Sequence, residues 1–157
     1  MKLPNAIFNR PTTSSELEKI CNYLGIPLNG IKMKDQLNLA NIKNGFYIIN
    51  LQNHNQNGSH WTALYKNKKH YYYADSFGVA LPQTLIDNLK INANNLFYMD
   101  RQVQELYSKR CGFYAIYFLY CIHKNGIKNG LREYVNSFNF NNQDINEEII
   151  KKIFLSL

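Results

Sequence analysis

Cys111-Gly112-Phe113-Tyr114-Ala115-Ile116-Tyr117-Phe118-Leu119-Tyr120-Cys121-Ile122-His123-Lys124 is an apolar run of helical length, closed by the stop signal Asn125-Gly126. Ahead of it stand Gln104-Glu105-Leu106-Tyr107-Ser108-Lys109-Arg110, so Cys111 falls where the helix begins. Unpaired backbone N–H groups at that end, with Lys109 and Arg110 beside them, favour a thiolate over a thiol. An isolated cysteine in a folded chain is more often a small buried apolar residue. Cys111 therefore reads as a nucleophile only if the rest of the chain supplies its partners.

Two β-rich segments supply them. His60-Trp61-Thr62-Ala63-Leu64-Tyr65-Lys66 and His70-Tyr71-Tyr72-Tyr73-Ala74-Asp75, joined through Asn67-Lys68-Lys69, read as a hairpin. A turn centred on Asn67 and Lys68 sets Lys66 opposite Lys69, Leu64 opposite Tyr71, Thr62 opposite Tyr73 and His60 opposite Asp75. Opposed side chains on one face lie roughly 5 Å apart at Cβ, close enough for a carboxylate to hold an imidazole N–H. A slip of one residue would send the two to opposite faces.

Cys111, His60 and Asp75 together make a set in which imidazole takes the thiol proton, the carboxylate fixes the imidazole tautomer and the thiolate attacks a carbonyl. Gln102 and Gln104 precede the cysteine, and either amide is a neutral donor suited to a developing oxyanion. His60-Trp61, then Tyr73-Ala74-Asp75-Ser76-Phe77-Gly78, then Gln104 seven residues before Cys111-Gly112, resembles the adenain-type cysteine proteases. That superfamily joins the adenovirus maturation protease to the ubiquitin-like-protein processing proteases. The Asp-Ser-Phe-Gly wording and the upstream block Gly30-Ile31-Lys32-Met33-Lys34-Asp35-Gln36-Leu37 resemble the maturation proteases of virophages and Maverick/Polinton-type virus-like transposons. The gap from Asp75 to Cys111 is short for either branch, which implies trimmed structure between them.

The resemblance implies His60 as general base, Asp75 as its orienting acid, Cys111 as nucleophile and Gln104 as the oxyanion-hole side chain, completed by the Cys111 N–H. It implies substrate contacts at Trp61 and Gly112, Trp61 being similar to an aromatic residue that narrows the cleft and selects small residues such as glycine; the other reading of Trp61 is core packing. The expected fold is α+β, a mainly antiparallel sheet packed against a central helix with the nucleophile at its N-terminus. The expected activity is viral cysteine endopeptidase, acting on capsid or other structural precursors during particle maturation. A peptidase of ubiquitin-like modifiers, and an inactive capsid- or nucleic-acid-binding relative, are the alternatives. The chemistry calls for no cofactor, and activation by DNA or a viral peptide is implied by the adenovirus branch. The expected setting is a monomer at sites of virus assembly in the host cytoplasm and inside the virion.

Composition is consistent with one domain over residues 1–157, since 45% hydrophobic residues suffice for a single core. There is no window of 18 apolar residues and no signal-like run after Met1, so the chain is expected to be intracellular and free of membrane. Three cysteines form no metal-like spacing with His54, His70 or His123, so neither a zinc site nor a disulfide is expected. Cys121, about 80° round the helix from Cys111, and Cys21, on the stripe Leu17-Ile20-Cys21-Leu24, read as core thiols. A net charge of +7 suits non-specific DNA association. Yet 23 Asn, 16 Ile and 14 Lys against 4 Arg also fit AT-rich codons, and the only compact basic group is Lys66, Lys68, Lys69 and His70 at a turn.

The remaining elements follow from caps and periodicity. A helix is expected from Ser14 to Leu24 behind the capping box Thr13/Glu16, then an irregular segment to Asn44 and a strand from Phe46 to Leu51. The polar loop Gln52 to Ser59 is expected to deliver His60 and wall the cleft. Pro82 opens a short helix to Lys90, and Leu96 to Met99 reads as a strand. A helix is expected near Leu131 to Phe138. A last one opens with a box at Asp144/Glu147 and carries Ile145, Ile149, Ile153 and Phe154 on one face.

Overall fold

The computed structural model describes residues 1–52 and 60–157, so the expected cleft wall at Gln52 to Ser59 lies, beyond Gln52, outside the described residues. Five strands, β1 (Leu28–Met33), β2 (Gly45–Asn50), β3 (Trp61–Asn67), β4 (His70–Ala74) and β5 (Leu96–Tyr98), lie side by side in chain order. The central pairs β2/β3 and β3/β4 are antiparallel, and the two outer pairs are parallel. The α+β architecture is that expected, with antiparallel pairing at the heart of the sheet.

Alternation along the strands divides the core in two. Phe46, Ile48, Ala63 and Ala74 face α3 (Cys111–Asn125), together with Leu17, Ile20 and Cys21 of α1 (Ser14–Leu24). Tyr47, Ile49, Leu64, Tyr71 and Tyr73 face the other way, against Leu85 and Leu89 of α2 (Gln83–Leu89). Helix α3 is apolar on nearly every side because α1, α4 (Ile127–Ser137), α5 (Gln143–Ser156) and β3 all pack on it. The Thr13/Glu16 capping box forms as expected, and Arg10 adds a bidentate pair to Glu16.

Four expectations need correction. The segment before Asn44 is not irregular throughout: Leu28–Met33 forms β1, an edge strand with a register break between Leu28 and Gly30. Its sequence, Leu-Asn-Gly-Ile-Lys-Met, carries little β signal, and pairing with β2 supplies the order. The hairpin register also differs. Asn67 pairs with His70, Leu64 with Tyr73 and Ala63 with Ala74, so the turn is Lys68-Lys69. Lys68 takes a left-handed conformation (φ 56°) there, held by Asn44, whose Oδ1 accepts from the Lys68 N–H and from Lys66 Nζ. A side chain remote in sequence thus selects the turn.

The last two concern helices. Helix α4 starts at Ile127, earlier than expected, because Asn129 and Gly130 mask its helical pattern. In α5 the buried stripe is Asn146, Ile150 and Phe154, while Ile145 is 45% exposed. Asn146, fully buried, sets that rotation: its Oδ1 accepts from the Asn139 N–H, and its Nδ2 donates to the carbonyls of Asn139 and Val103. The N-cap is Asn142, and Glu147 is drawn instead to Tyr114, whose hydroxyl donates to it at 2.5 Å.

Gly130 marks the tightest helix contact. A Cβ on it would stand 2.6 Å from both the Cys121 carbonyl oxygen and Ile122 Cα. Gly130→Ala should therefore lower stability by about 1–3 kcal/mol, the cost of overpacking outweighing the ~1 kcal/mol that alanine gains in a free helix. Urea denaturation decides the sign, and a stabilised variant would mean that the two helices separate without cost.

Candidate active site

Four consecutive residues after β4, Asp75-Ser76-Phe77-Gly78, organise the site. Asp75 is 2% exposed, and its Oδ1 accepts from His60 Nε2 at 2.8 Å and from the Phe77 N–H at 2.9 Å. His60 and Asp75 lie just beyond the paired residues of β3 and β4, at the same end of the hairpin, so they still meet despite the two-residue shift of register. The Phe77 ring stacks on the imidazole at 4.9 Å between centroids. Gly78 (φ 77°) closes the turn where a Cβ would be 2.7 Å from the backbone carbon of Arg101. Only glycine lets the Arg101–Gln104 segment pass so close.

Cys111 is the first residue of α3, as its sequence position predicts. Its sulfur accepts from the Trp61 N–H at 3.5 Å and shares a hydrogen bond with His60. With His60 Nε2 on Asp75, Nδ1 is the ring nitrogen left for the sulfur. Burial of the ring opposes its charged form, but the hydrogen bonds to Asp75 and Cys111, with their negative charge, outweigh it and raise His60 from 6.5 to about 9. The arrangement therefore favours an imidazolium beside the sulfur across the neutral range, with a proton ready for a leaving group.

Gln104 is 1% exposed and lines the same cleft, a cavity of about 230 Å³ bounded by Pro11, His60, Phe77, Leu106, Ser108, Lys109 and Cys111. Its Oε1 accepts from Ser76 Oγ at 2.5 Å, and its Nε2 donates one hydrogen to the Ser108 carbonyl at 3.0 Å. A primary amide carries a second N–H beyond the one given to Ser108. Gln102, the other oxyanion candidate, gives its Nε2 to the Gln104 carbonyl and lines a different hollow, beside Asn142 and Gln143. Each glutamine thus has one position, which spacing alone leaves open.

Trp61 is not among the described residues that bound this cavity. It is 7% exposed within the core shared with α3, and its indole N–H donates to the Thr12 carbonyl at 3.0 Å, which fixes the adjacent wall residue Pro11. Gly112 is buried under the same N-terminal arm, where a Cβ would stand 2.3 Å from Thr12 Oγ1. Arg110 does not point its charge at the sulfur: Nε donates to the Phe8 carbonyl and Nη1 to the Glu147 carbonyl, tying the arm and α5 to the start of α3. Phe77 and Ser76 were missed as site residues. Their only signal is adjacency to Asp75, which does not show where a turn aims its side chains.

Cys21 and Cys121 are buried thiols, each pushed up to about 12 by burial and so poorly suited to act as thiolates. The basic group at Lys66, Lys68, Lys69 and His70 occupies the far end of the hairpin, roughly 24 Å from His60 at about 3.4 Å per residue. Among the described residues no group of three or more His, Cys, Asp or Glu could hold a metal ion, and no helix is long and apolar enough to cross a membrane.

No family model matches the chain, and no curated protein does. Among solved structures it is similar to a SUMO protease Ulp1 with its catalytic cysteine oxidised to a sulfinic acid, at 16% identity and a TM-score of 0.46, over 92% of this chain and 79% of that one. The chemistry assigned to the cleft rests on its own geometry.

Because the folded-state imidazole is raised, its contribution to stability is complete below about 6.5 and is lost as pH rises through about 9. Following the His60 ring proton by NMR should give a midpoint near 9, and Asp75→Asn should move it down toward 6.5. A midpoint of 6.5 in the intact protein would show that the Asp75 and Cys111 bonds do not govern the ring.

Proposed function

We propose that the protein is a cysteine endopeptidase. The observation that carries this is the double engagement of His60, bonded to buried Asp75 and to Cys111 at the start of α3, with the Gln104 amide on the same cleft. In the reaction, the Cys111 thiolate adds to a peptide carbonyl while His60 holds the thiol proton. The oxyanion is received by Gln104 Nε2–H and the Cys111 backbone N–H. The carbonyl re-forms, the C–N bond breaks, and His60 gives its proton to the departing amine, leaving a thioester on Cys111. Water then loses a proton to His60 and attacks the thioester; the thiolate leaves, and the carboxylic acid product departs. Asp75 holds the ring so that Nδ1 faces sulfur throughout.

The substrate is a polypeptide cut after a small residue such as glycine. The family resemblance supports that preference, and Pro11, Phe77 and Leu106 give the cleft apolar walls for a bound chain. Leu106 and Tyr107, 65% and 82% exposed on the loop beside the cleft, give a bound chain an apolar lip. We assign the substrates to viral capsid or other structural precursors, cut at assembly sites and in the particle, on the wording of the Asp75–Gly78 and Gly30–Leu37 segments. DNA or a viral peptide as activator belongs to the same reading and would show as turnover that rises on adding either.

Co-expression with neighbouring capsid precursors, and separately with a ubiquitin-like modifier fused to a peptide, followed by intact-mass analysis, tests it. Trimming of the capsid precursors that disappears in Cys111→Ala is the expected result; cleavage of the modifier fusion alone would move the assignment to modifier processing. Gln104→Ala should cost on the order of 10² to 10³ in rate. Cys121→Ala should retain activity, and a folded Cys121→Ala enzyme without it would remove Cys111 as nucleophile.

A further inference from the structure

We propose that Ser76 is the positioning residue for the oxyanion donor, its hydroxyl fixing the Gln104 amide with the N–H side toward the cleft. This rests on the endopeptidase reading and adds a residue to it. A glutamine amide has nearly the same shape when its oxygen and nitrogen exchange places, but only the nitrogen stabilises an oxyanion; the oxygen repels it. The orientation must therefore be set by what surrounds it. The Ser108 carbonyl accepts and cannot donate, so it selects Nε2. Ser76 Oγ, 2.5 Å from Oε1, supplies the donor that the opposite end requires. Ser76 is 4% exposed and Gln104 1%, so water does not compete for that bond.

Backbone contacts separate this role from a purely structural one. The Ser76 carbonyl accepts from the Val103 and Gln104 N–H groups at 2.9 and 3.0 Å, and those bonds hold the two segments together without the hydroxyl. Ser76→Ala leaves them in place. It strands Oε1 in a buried site with no donor and leaves the Ser108 carbonyl as the one remaining hold on the amide, which then swings about that single bond so that Nε2 loses its fixed aim. Because Asp75 precedes Ser76 directly, one turn fixes both the base and the oxyanion donor.

Two small reagents isolate the effect. Acetylation of Cys111 by 4-nitrophenyl acetate forms the S–C bond through a tetrahedral oxyanion and expels 4-nitrophenolate; alkylation by iodoacetamide forms an S–C bond by displacing iodide with no oxyanion. Rates are taken after subtraction of a Cys111→Ala background. Ser76→Ala should acetylate about tenfold or more slowly, toward the Gln104→Ala rate, while alkylating at the wild-type rate. The double variant should be no slower than Gln104→Ala alone, since both changes remove one function. Ser76→Thr, which keeps the hydroxyl, should recover acetylation.

Wild-type acetylation in Ser76→Ala, with Gln104→Ala slow, would overturn the role of Ser76 and leave the endopeptidase reading standing. Equal loss of both reactions in Ser76→Ala would reduce the residue to a structural one, as would independent, multiplying effects in the double variant. A Gln104→Ala enzyme that acetylates normally would fell the oxyanion assignment first, and the proposal with it.

Discussion

The hydrogen bond between His60 Nε2 and Asp75 Oδ1 is the constraint around which the site is arranged. A carboxylate 2% exposed needs hydrogen-bond partners, and Asp75 has His60 and the Phe77 N–H. The same bond keeps an imidazole charged where burial alone would neutralise it. It also decides which ring nitrogen is left for sulfur. The charge state of the cleft thus follows from one pair of side chains at the open end of a hairpin.

The pair is held from two directions. The sheet fixes β3 and β4 through ladders on both sides, with hydrophobic residues on both faces of β2 and β3, so neither end of the hairpin is free to slide. Helix α3 brings Cys111 to them because its apolar length is enclosed by the sheet and by α1, α4 and α5. Arg110 anchors the beginning of that helix to Phe8 and Glu147. Its charge serves packing, and the sulfur is instead met by the Trp61 N–H, His60 and the helix terminus. A cation next to a cysteine in sequence is a poor guide to the field at its sulfur, since a long side chain follows whatever acceptors lie within reach.

Several errors of the sequence reading share one cause. The hairpin turn was displaced because Asn44, far away in the chain, holds Lys68 in a left-handed turn. Helix α5 was rotated by Asn146, a polar residue whose partners, Asn139 and Val103, no periodicity can reveal. Strand β1 exists through its neighbour, and α4 through a glycine that lets it approach α3. In each case a tertiary partner overrode a local pattern that pointed elsewhere.

The sequence by itself determined the elements whose signals are local: α1 from its capping box, the apolar α3 with Cys111 at its start, the β-rich hairpin, and the candidate set Cys111, His60, Asp75 and Gln104. It also put His60 and Asp75 at the same end of the hairpin, which a two-residue error in register does not change. Tertiary structure alone decided the hairpin register, the place of Trp61 as an anchor for the N-terminal arm, the separate surroundings of Gln102 and Gln104, and the use of the Asp75–Gly78 turn to hold the His60 imidazole and the Gln104 amide together. These depend on where side chains from distant segments find hydrogen-bond partners after burial, and such partners become defined only once the core has closed.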